Sequence, residues 1–300
     1  MSTLYGFGSN GSGQLGIGHL EDTKTPTPCL GLPLGDPIVK ISGGGNHSAV
    51  LTQSGKVFFA GFSQLGEDKQ KELSKQAENE EKVDAWIRYR CYESPYIWTD
   101  VACGWAFTLL VSNTGQVFGL GTSRWNELGV VQQKSIESLR LLELNDIVSV
   151  ACGWRHALAL DKQGQVFGWG WGKDNQLGSF ASLDKSTKYI QPIQMLSLPQ
   201  HIVQIECGHK HSLLRGQDGT VYSFGSIKYG QVSCNDRQQS TLIRAGWHHS
   251  LVLNKESVLD MWGRNDNGQL QSNLVLDQVE CGSEHTIGLS HGQVLVWGWN

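Results

Sequence analysis

Five histidines, His47, His156, His211, His249 and His285, occupy the fourth position of one short pattern, Gly-x-x-His followed by Ser, Thr or Ala. Imidazoles recurring in a fixed frame are what a metal centre or a proton-transfer site would draw on. The spacing of the frame argues against both. It occurs at Gly44-Gly45-Asn46-His47, Gly104-Trp105-Ala106-Phe107, Gly153-Trp154-Arg155-His156, Gly208-His209-Lys210-His211, Gly246-Trp247-His248-His249 and Gly282-Ser283-Glu284-His285, with an apolar run on either side of each. Successive copies lie between 36 residues (Gly246 to Gly282) and 60 residues (Gly44 to Gly104) apart, so equivalent side chains fall on different structural units and not in one coordination sphere. Phe107 fills the same slot with no nitrogen at all. The histidines therefore read as architecture: side chains that tie adjacent turns by hydrogen bonds, as buried polar groups require.

The cysteines point the same way. Their number, 7, is odd, and none forms a Cys-x-x-Cys pair. Cys103, Cys152, Cys207 and Cys281 stand directly before the repeat glycine, where Gly43 and Ala245 stand in two other copies, which marks a slot for a small buried side chain and fits a reducing compartment. No Gly-x-Ser-x-Gly elbow, phosphate-cradling loop or His-Glu-x-x-His motif is present. No catalytic, cofactor or metal site is assigned, and the chain is not read as an enzyme.

The two residues between glycine and histidine vary while the frame does not: Gly45-Asn46, Trp105-Ala106, Trp154-Arg155, His209-Lys210, Trp247-His248 and Ser283-Glu284. Tryptophan and arginine are the residues that dominate protein-binding hot spots. The candidate partner-binding residues are Trp105, Trp154, Arg155, His209, Lys210, Trp247, His248 and Glu284, with Trp299, which follows a strand glycine as Trp171 does. The competing reading is that each indole packs over a neighbouring repeat, since tryptophan is a largely buried residue type. Trp169, Trp262 and Trp297 lie inside strand patterns and are assigned to the core.

The elements that position these residues are short strands. In the third copy Ile147 to Cys152, His156 to Leu160 and Gln165 to Gly170 are β-patterned runs, separated by Gly153-Trp154-Arg155 and by Lys162-Gln163-Gly164. The hairpin step returns at Ser54-Gly55, Thr114-Gly115, Asp218-Gly219 and His291-Gly292, and is replaced in the fifth copy by Asn254-Lys255-Glu256-Ser257. A Gln-Leu-Gly tail follows at Gln14, Gln64, Gln176 and Gln269-Leu270, with Glu127-Leu128-Gly129 as a variant. Four strands per unit make one propeller blade. Equivalent turns of successive blades face the same way, so the variable pairs are expected to ring the mouth of the central channel.

The combination of Cys-Gly-x-x-His-Ser, Gly-x-Val-Phe-x-Trp-Gly and Gln-Leu-Gly, recurring in order along nearly the whole chain, resembles the repeats of the regulator of chromosome condensation family. The resemblance implies an all-β fold, a β-propeller in which the family pattern leads one to expect seven blades. Six Gly-x-x-His/Phe units are visible. The N-terminal Leu4 to Gly16 resembles the second half of a blade and Val294 to Asn300 ends at a third strand, so the closing blade reads as incomplete, and either seven blades or six would close the ring. A single domain over 1–300 is expected, with a charged insertion at 67–96 whose Lys, Glu, Asp and Gln read as a solvated helix or loop.

Net charge and composition narrow the partners. A formal charge of -4 leaves no general excess of cations for phosphate backbones, 37 glycines against 7 prolines indicate many tight turns, and no apolar run reaches the ~18 residues of a membrane span. No signal-peptide pattern precedes Leu4, so a soluble cytoplasmic protein, with a possible nuclear pool, is expected. Within the family, Leu4-Tyr5-Gly6-Phe7-Gly8-Ser9-Asn10, Gln14-Leu15-Gly16, Gly44 to Ser48, Ala102-Cys103-Gly104-Trp105, Gly282 to His285 and Trp297-Gly298-Trp299 are most similar to a fungal branch. That similarity implies a scaffold that binds a small CSL-type iron or zinc ribbon protein (killer-toxin-insensitivity protein eleven, or diphthamide biosynthesis protein three) as a heterodimer. The ribbon protein serves diphthamide synthesis on elongation factor two and Elongator-dependent modification of tRNA wobble uridine. The alternatives implied by the family are guanine-nucleotide exchange on a small GTPase and a microtubule or cell-cycle scaffold.

Overall fold

The computed structural model describes residues 3–61, 87–129, 135–178, 189–194, 200–232 and 239–299. The chain divides into two compact units, Met1–Val150 and Ala151–Asn300. Every regular element among the described residues is a β-strand. In the first unit β1 (Tyr5–Gly8) pairs antiparallel with β2 (Thr23–Pro28). A four-stranded sheet follows in chain order: β3 (Ile38–Gly43), β4 (His47–Thr52), β5 (Val57–Gly61) and β6 (Arg90–Cys91). A second has β7 (Trp98–Cys103), β8 (Phe107–Ser112), β9 (Val117–Thr122) and β10 (Ser135–Leu141). The boundary between the units falls within β11 (Ile147–Cys152), which heads the sheet completed by β12 (His156–Asp161), β13 (Val166–Gly170) and β14 (Tyr189–Gln194).

Three three-stranded meanders complete the second unit: β15 (Ile202–Cys207), β16 (His211–Gly216) and β17 (Val221–Gly225); β18 (Ser240–Ala245), β19 (His249–Asn254) and β20 (Leu259–Gly263); β21 (Gln278–Cys281), β22 (His285–Ser290) and β23 (Gln293–Gly298). The described residues thus hold seven antiparallel sheets, the N-terminal strands forming one of their own.

The second strand of the first three repeats is packed from both faces. β4, β8 and β12 are buried along their whole length, which is why Phe107-Thr108-Leu109-Leu110-Val111 shows no polar alternation. Each core cluster draws on two consecutive sheets. Leu51, Val57 and Phe59 meet Trp98, Val101 and Leu110 in the first unit, and Leu158, Leu160 and Val166 meet Ile202, Ile205 and Leu214 in the second. Trp169 and Trp262 are buried, and Trp297 packs against the cluster around Leu276. Cys103 is buried in the first of these clusters. Burial pushes its thiol up to about 11, so it packs as a neutral, weakly polar group.

Four of the five motif histidines link consecutive repeats through a hydroxyl. His47 Nε2 lies 2.8 Å from Thr108 Oγ1, His156 Nε2 3.0 Å from Ser212 Oγ, His211 Nε2 3.0 Å from Ser250 Oγ and His249 Nε2 3.1 Å from Thr286 Oγ1. In each case the hydroxyl belongs to the residue after the motif's fourth position in the next copy. Ser212 and Ser250 donate onward to the carbonyls of Gln176 and Gln231, at 2.8 and 3.0 Å, so they accept from imidazoles protonated on Nε2. The sequence anticipated ties between turns; at Ser212 and Ser250 the observed tie runs imidazole to hydroxyl to carbonyl, while Thr108 Oγ1 donates to Cys103 Sγ at 3.8 Å. The one copy with alanine in the hydroxyl position, Ala157, follows in the chain the one copy with Phe107 in the imidazole position.

Two glycine roles follow from close approach. A Cβ on Gly208 would stand 2.1 Å from His211 Cε1, and one on Gly104 2.1 Å from Phe107 Cε1, so the motif glycine is the surface on which its own ring lies. At the hairpins, Gly55, Gly115, Gly164 and Gly219 have φ between 78 and 88°. The divergent fifth copy makes the same turn with Ser257 at φ 58°, its N–H donating to Asn254 O at 3.0 Å as Gly219 N–H donates to Gly216 O. The Gln tail is a loop clamp. Gln14, Glu127, Gln176 and Gln269 accept the N–H two residues before them at 2.7–3.0 Å, and Gln231 does so for Tyr229 at 2.8 Å. Gln231 escaped the sequence pattern because Val232 and Ser233 replace the Leu and Gly that mark the other tails.

Of the charged segment 67–96, residues to 86 lie outside the described residues, as does Gln64. Beyond it, Ile87 and Tyr89 are buried, and Tyr89 Oη bonds Ser48 Oγ at 2.8 Å.

Candidate protein-binding site

The loops that join first to second strands in Ala151–Asn300 are held by main chain before any side chain acts. The motif glycine N–H of 153, 208, 246 and 282 donates to the carbonyl of the motif histidine at 2.8–2.9 Å, closing each loop. Consecutive loops are then bonded to each other: His209 N–H donates to Trp247 O at 3.1 Å and Trp247 N–H to Ser283 O at 3.0 Å. A second set of loops, after the third strands, is docked beside them. Trp171, Ser226, Arg264 and Trp299 each donate a backbone N–H to the carbonyl of Arg155, Lys210, His248 and Glu284, at 2.7–2.9 Å.

These frames bring together an aromatic stack. The Trp154 and His209 rings are 4.5 Å apart, and His209 lies over Trp247 at 4.8 Å with only 21° between planes. His248 meets His209 edge-on at 5.0 Å, and Tyr229 meets His248 at 4.8 Å. Cations cover the stack. Arg155 Cζ sits 3.6 Å from the Trp154 ring centroid, Lys210 Nζ 5.6 Å from the same ring, and Lys228 Nζ and Arg264 Cζ 4.9 and 5.2 Å from Tyr229.

Beneath the stack runs a polar chain. His209 Nδ1 is 3.1 Å from His248 Nε2, and His248 Nδ1 is 3.3 Å from Glu284 Oε1. Glu284 is 7% exposed and also accepts from Gln269 Nε2 at 2.6 Å and Arg264 Nη1 at 3.3 Å. A carboxylate accepts only, so His248 carries its proton on Nδ1 and accepts on Nε2, and His209 in turn carries its proton on Nδ1. Burial, reinforced by His248 and Lys210, pushes His209 down to about 4. Burial likewise lowers His248, against the opposing pull of Glu284.

The residues nominated from sequence thus fall into four groups. Trp154, Arg155, His209, Lys210, Trp247 and His248 are half-buried and contiguous. Glu284 belongs to the same site but lies under it, as the anchor of the imidazole chain. Trp299 is 68% exposed, its N–H tied to Glu284 O. Trp105 belongs to the first unit, where it is 39% exposed and its ring lies where a Cβ on Gly45 would stand, 2.8 Å away. Both readings of the indoles hold there at once: one face covers the preceding loop while the rest meets solvent. Tyr229, Arg264 and Lys228 were not anticipated. Arg264 holds the position after the third-strand glycine, which Trp171 and Trp299 had already marked, whereas Lys228 and Tyr229 lie further along the loop after Gly225.

No group of three or more His, Cys, Asp or Glu side chains able to hold a metal occurs among the described residues. The arrangement presents large flat apolar surfaces with a cationic cover, which is the chemistry of protein recognition.

Six antiparallel meanders built on one recurring motif, with the two-stranded N-terminal sheet beside them in the chain, define a repeat β-propeller. Residues 3–300 match the family model described as an RCC1-like domain, and the chain belongs to that family. Among curated proteins it is similar to the Secretion-regulating guanine nucleotide exchange factor of Bos taurus, 28% identical over 100% of this chain and 74% of the relative. It is likewise similar to the RCC1 repeat-containing protein C10F6.04 of Schizosaccharomyces pombe, 28% identical over 99% of this chain and 87% of the relative. Among solved structures, Prp20p from Saccharomyces cerevisiae aligns with TM-score 0.80 at 22% identity, covering 99% of this chain and 80% of that one. Human WBSCR16 aligns with TM-score 0.77 at 24% identity, covering 98% and 81%. Both likenesses carry the propeller fold.

Proposed function

We propose that the protein is a non-catalytic scaffold that docks a partner protein on the Trp154–His209–Trp247 stack and its cationic cover. The observation that carries the reading is the stack itself, three rings in contact with Arg155 and Lys210 above one of them. The partner we favour is the small iron or zinc ribbon protein that supports diphthamide synthesis and Elongator-dependent tRNA modification. The reading draws on the motif resemblance to the fungal alpha-tubulin suppressor, also called killer-toxin-insensitivity protein thirteen. The scaffold would cover the ribbon and alter the solvent exposure of its metal, as packing around a metal site does. A binding titration with the purified ribbon protein tests it: a one-to-one complex is expected, and no heat or shift at micromolar concentrations refutes it.

A second reading, guanine-nucleotide exchange on a small GTPase, is favoured by the bovine and mouse relatives, each named a Secretion-regulating guanine nucleotide exchange factor and each aligned over 100% of this chain. Release of labelled GDP from Ran-type GTPases, with and without the protein, decides it. Acceleration supports exchange, and an unchanged rate removes it.

A further inference from the structure

We infer that the aromatic–cationic surface takes an acidic side chain of its partner at His209 Nε2, and that docking is coupled to uptake of one proton by that imidazole. The inference deepens the docking reading above and rests on it for the location of the surface, though not for the identity of the partner.

The first support is the directed hydrogen-bond chain. Glu284, buried and acceptor-only, fixes the proton on His248 Nδ1; His248 Nε2 then fixes the proton of His209 on Nδ1. Nε2 of His209 is left as a lone-pair acceptor at the outer end of the chain, with no described residue bonded to it, on a ring held between the indoles of Trp154 and Trp247. The ring cannot present the other tautomer without leaving His248 Nε2 unpartnered.

The second support is charge. Facing His209 are Arg155 from the loop before β12, Lys210 beside it, Asp174 from the loop after β13, and His248 from the loop before β19, with His156 and His211 buried below. Asp174 is engaged with Lys210 Nζ at 3.4 Å and Trp171 Nε1 at 3.2 Å, and Glu284 and Asp266 are engaged by Arg264. Arg155, Lys173 and Lys228 cover Trp154, Trp171 and Tyr229. Among the described residues, counting the five cations Arg155, Lys173, Lys210, Lys228 and Arg264 against Asp174, Asp266 and Glu284 leaves this face positive on a chain whose formal charge is -4. Complementarity therefore calls for an acidic occupant.

A carboxylate brought to this place meets Arg155 and Lys210 favourably, but its lone pairs oppose that of Nε2. A proton from solvent on Nε2 removes the conflict: the imidazole becomes a cation that donates to the carboxylate through Nε2 while Nδ1–H keeps its bond to His248. The same carboxylate offsets the cations that otherwise disfavour protonation. No other bond forms or breaks.

The test uses the full chain and an octaglutamate peptide, so that it does not depend on which protein is the natural partner. Calorimetric titration from about pH 6 to 8 in buffers of different ionisation enthalpy gives affinity and protons exchanged, and nitrogen-15 spectra of the histidine rings report His209 directly. We expect binding at least about threefold tighter at the acid end, net proton uptake, and a protonated His209 in the complex. His209→Gln should abolish the pH dependence, whereas Lys210→Ala should weaken binding and keep the pH dependence. Absence of peptide binding, binding with His209 still neutral, or an unchanged pH dependence in His209→Gln would overturn the inference. Failure of the ribbon protein to bind a chain that takes the peptide in this way would instead remove only the partner assignment.

Discussion

Acidification should unfold this protein well before its carboxylates titrate. The four histidines that link repeats, His47, His156, His211 and His249, are buried, and burial pushes His47 and His249 down to about 4 and His156 and His211 to about 3. In the unfolded chain each returns to a pKa of about 6.5. A depressed histidine stabilises the fold fully above that unfolded value, and the contribution is lost as pH falls from there towards the native value. At pH about 5.5 an unfolded imidazole is roughly nine-tenths protonated while the buried ones remain neutral, so the unfolded state gains ~1.4 kcal/mol per histidine, or about 5–6 kcal/mol for four. Three of the four lie in Ala151–Asn300, which should lose ~4 kcal/mol. That is comparable with the whole stability of an ordinary domain. Above pH about 5.5 carboxylates are ionised in both states and add little slope. The assay is urea unfolding followed by tryptophan fluorescence at pH about 7.5 and 5.5. His211→Asn should be less stable at the upper pH yet lose ~1.4 kcal/mol less on acidification. A loss below about 2 kcal/mol for the wild type, or a variant with the full wild-type slope, would refute the reasoning.

Replacing Trp154 or Trp247 by Ala should weaken partner binding by about 2 kcal/mol or more, roughly 30-fold in Kd, by calorimetry, and the stack predicts that the double variant loses less than the sum. Gly208→Ala should destabilise by roughly 2–4 kcal/mol in urea titration, because its Cβ would overlap the His211 ring, whereas Gly230→Ala meets no atom and should cost about 1 kcal/mol, from its positive φ alone. Ser257→Gly should raise stability by about 0.5–1 kcal/mol, seen as a higher melting temperature, since it restores glycine to a left-handed position that the other hairpins give it.

Where a residue's role is set by its own repeat, the sequence disclosed it. The Gly-x-x-His frame, the hairpin glycines and the tryptophans of the third strands were legible because each recurs in register and each constraint, a ring on a glycine or a turn at positive φ, is local. What recurs but leaves its local pattern was legible only in part: Gln231 acts as its counterparts do, but Val232 hides it, and Ser257 turns a hairpin that its type does not advertise. The candidate site was half visible. Trp154, His209 and Trp247 were marked by variation inside a constant frame, yet their stacking depends on how neighbouring sheets are inclined, which no single repeat encodes. Glu284 looked like an exposed counterpart of Lys210; its burial follows from Gln269 and Arg264, residues of a different loop that satisfy its carboxylate. Tyr229 and Arg264 came from the loop class after the third strand, where no composition set them apart.

The bonds from His209 N–H to Trp247 O and from Trp247 N–H to Ser283 O fasten these loops through atoms that every residue but one possesses. These backbone bonds do not depend on side-chain identity, and only proline is barred from the two donor positions. Such a surface can be rewritten residue by residue while its backbone stays in place. One propeller frame can in this way be fitted to unrelated partners by exchanging the contents of two positions per loop, with stability carried by the histidines and glycines on either side.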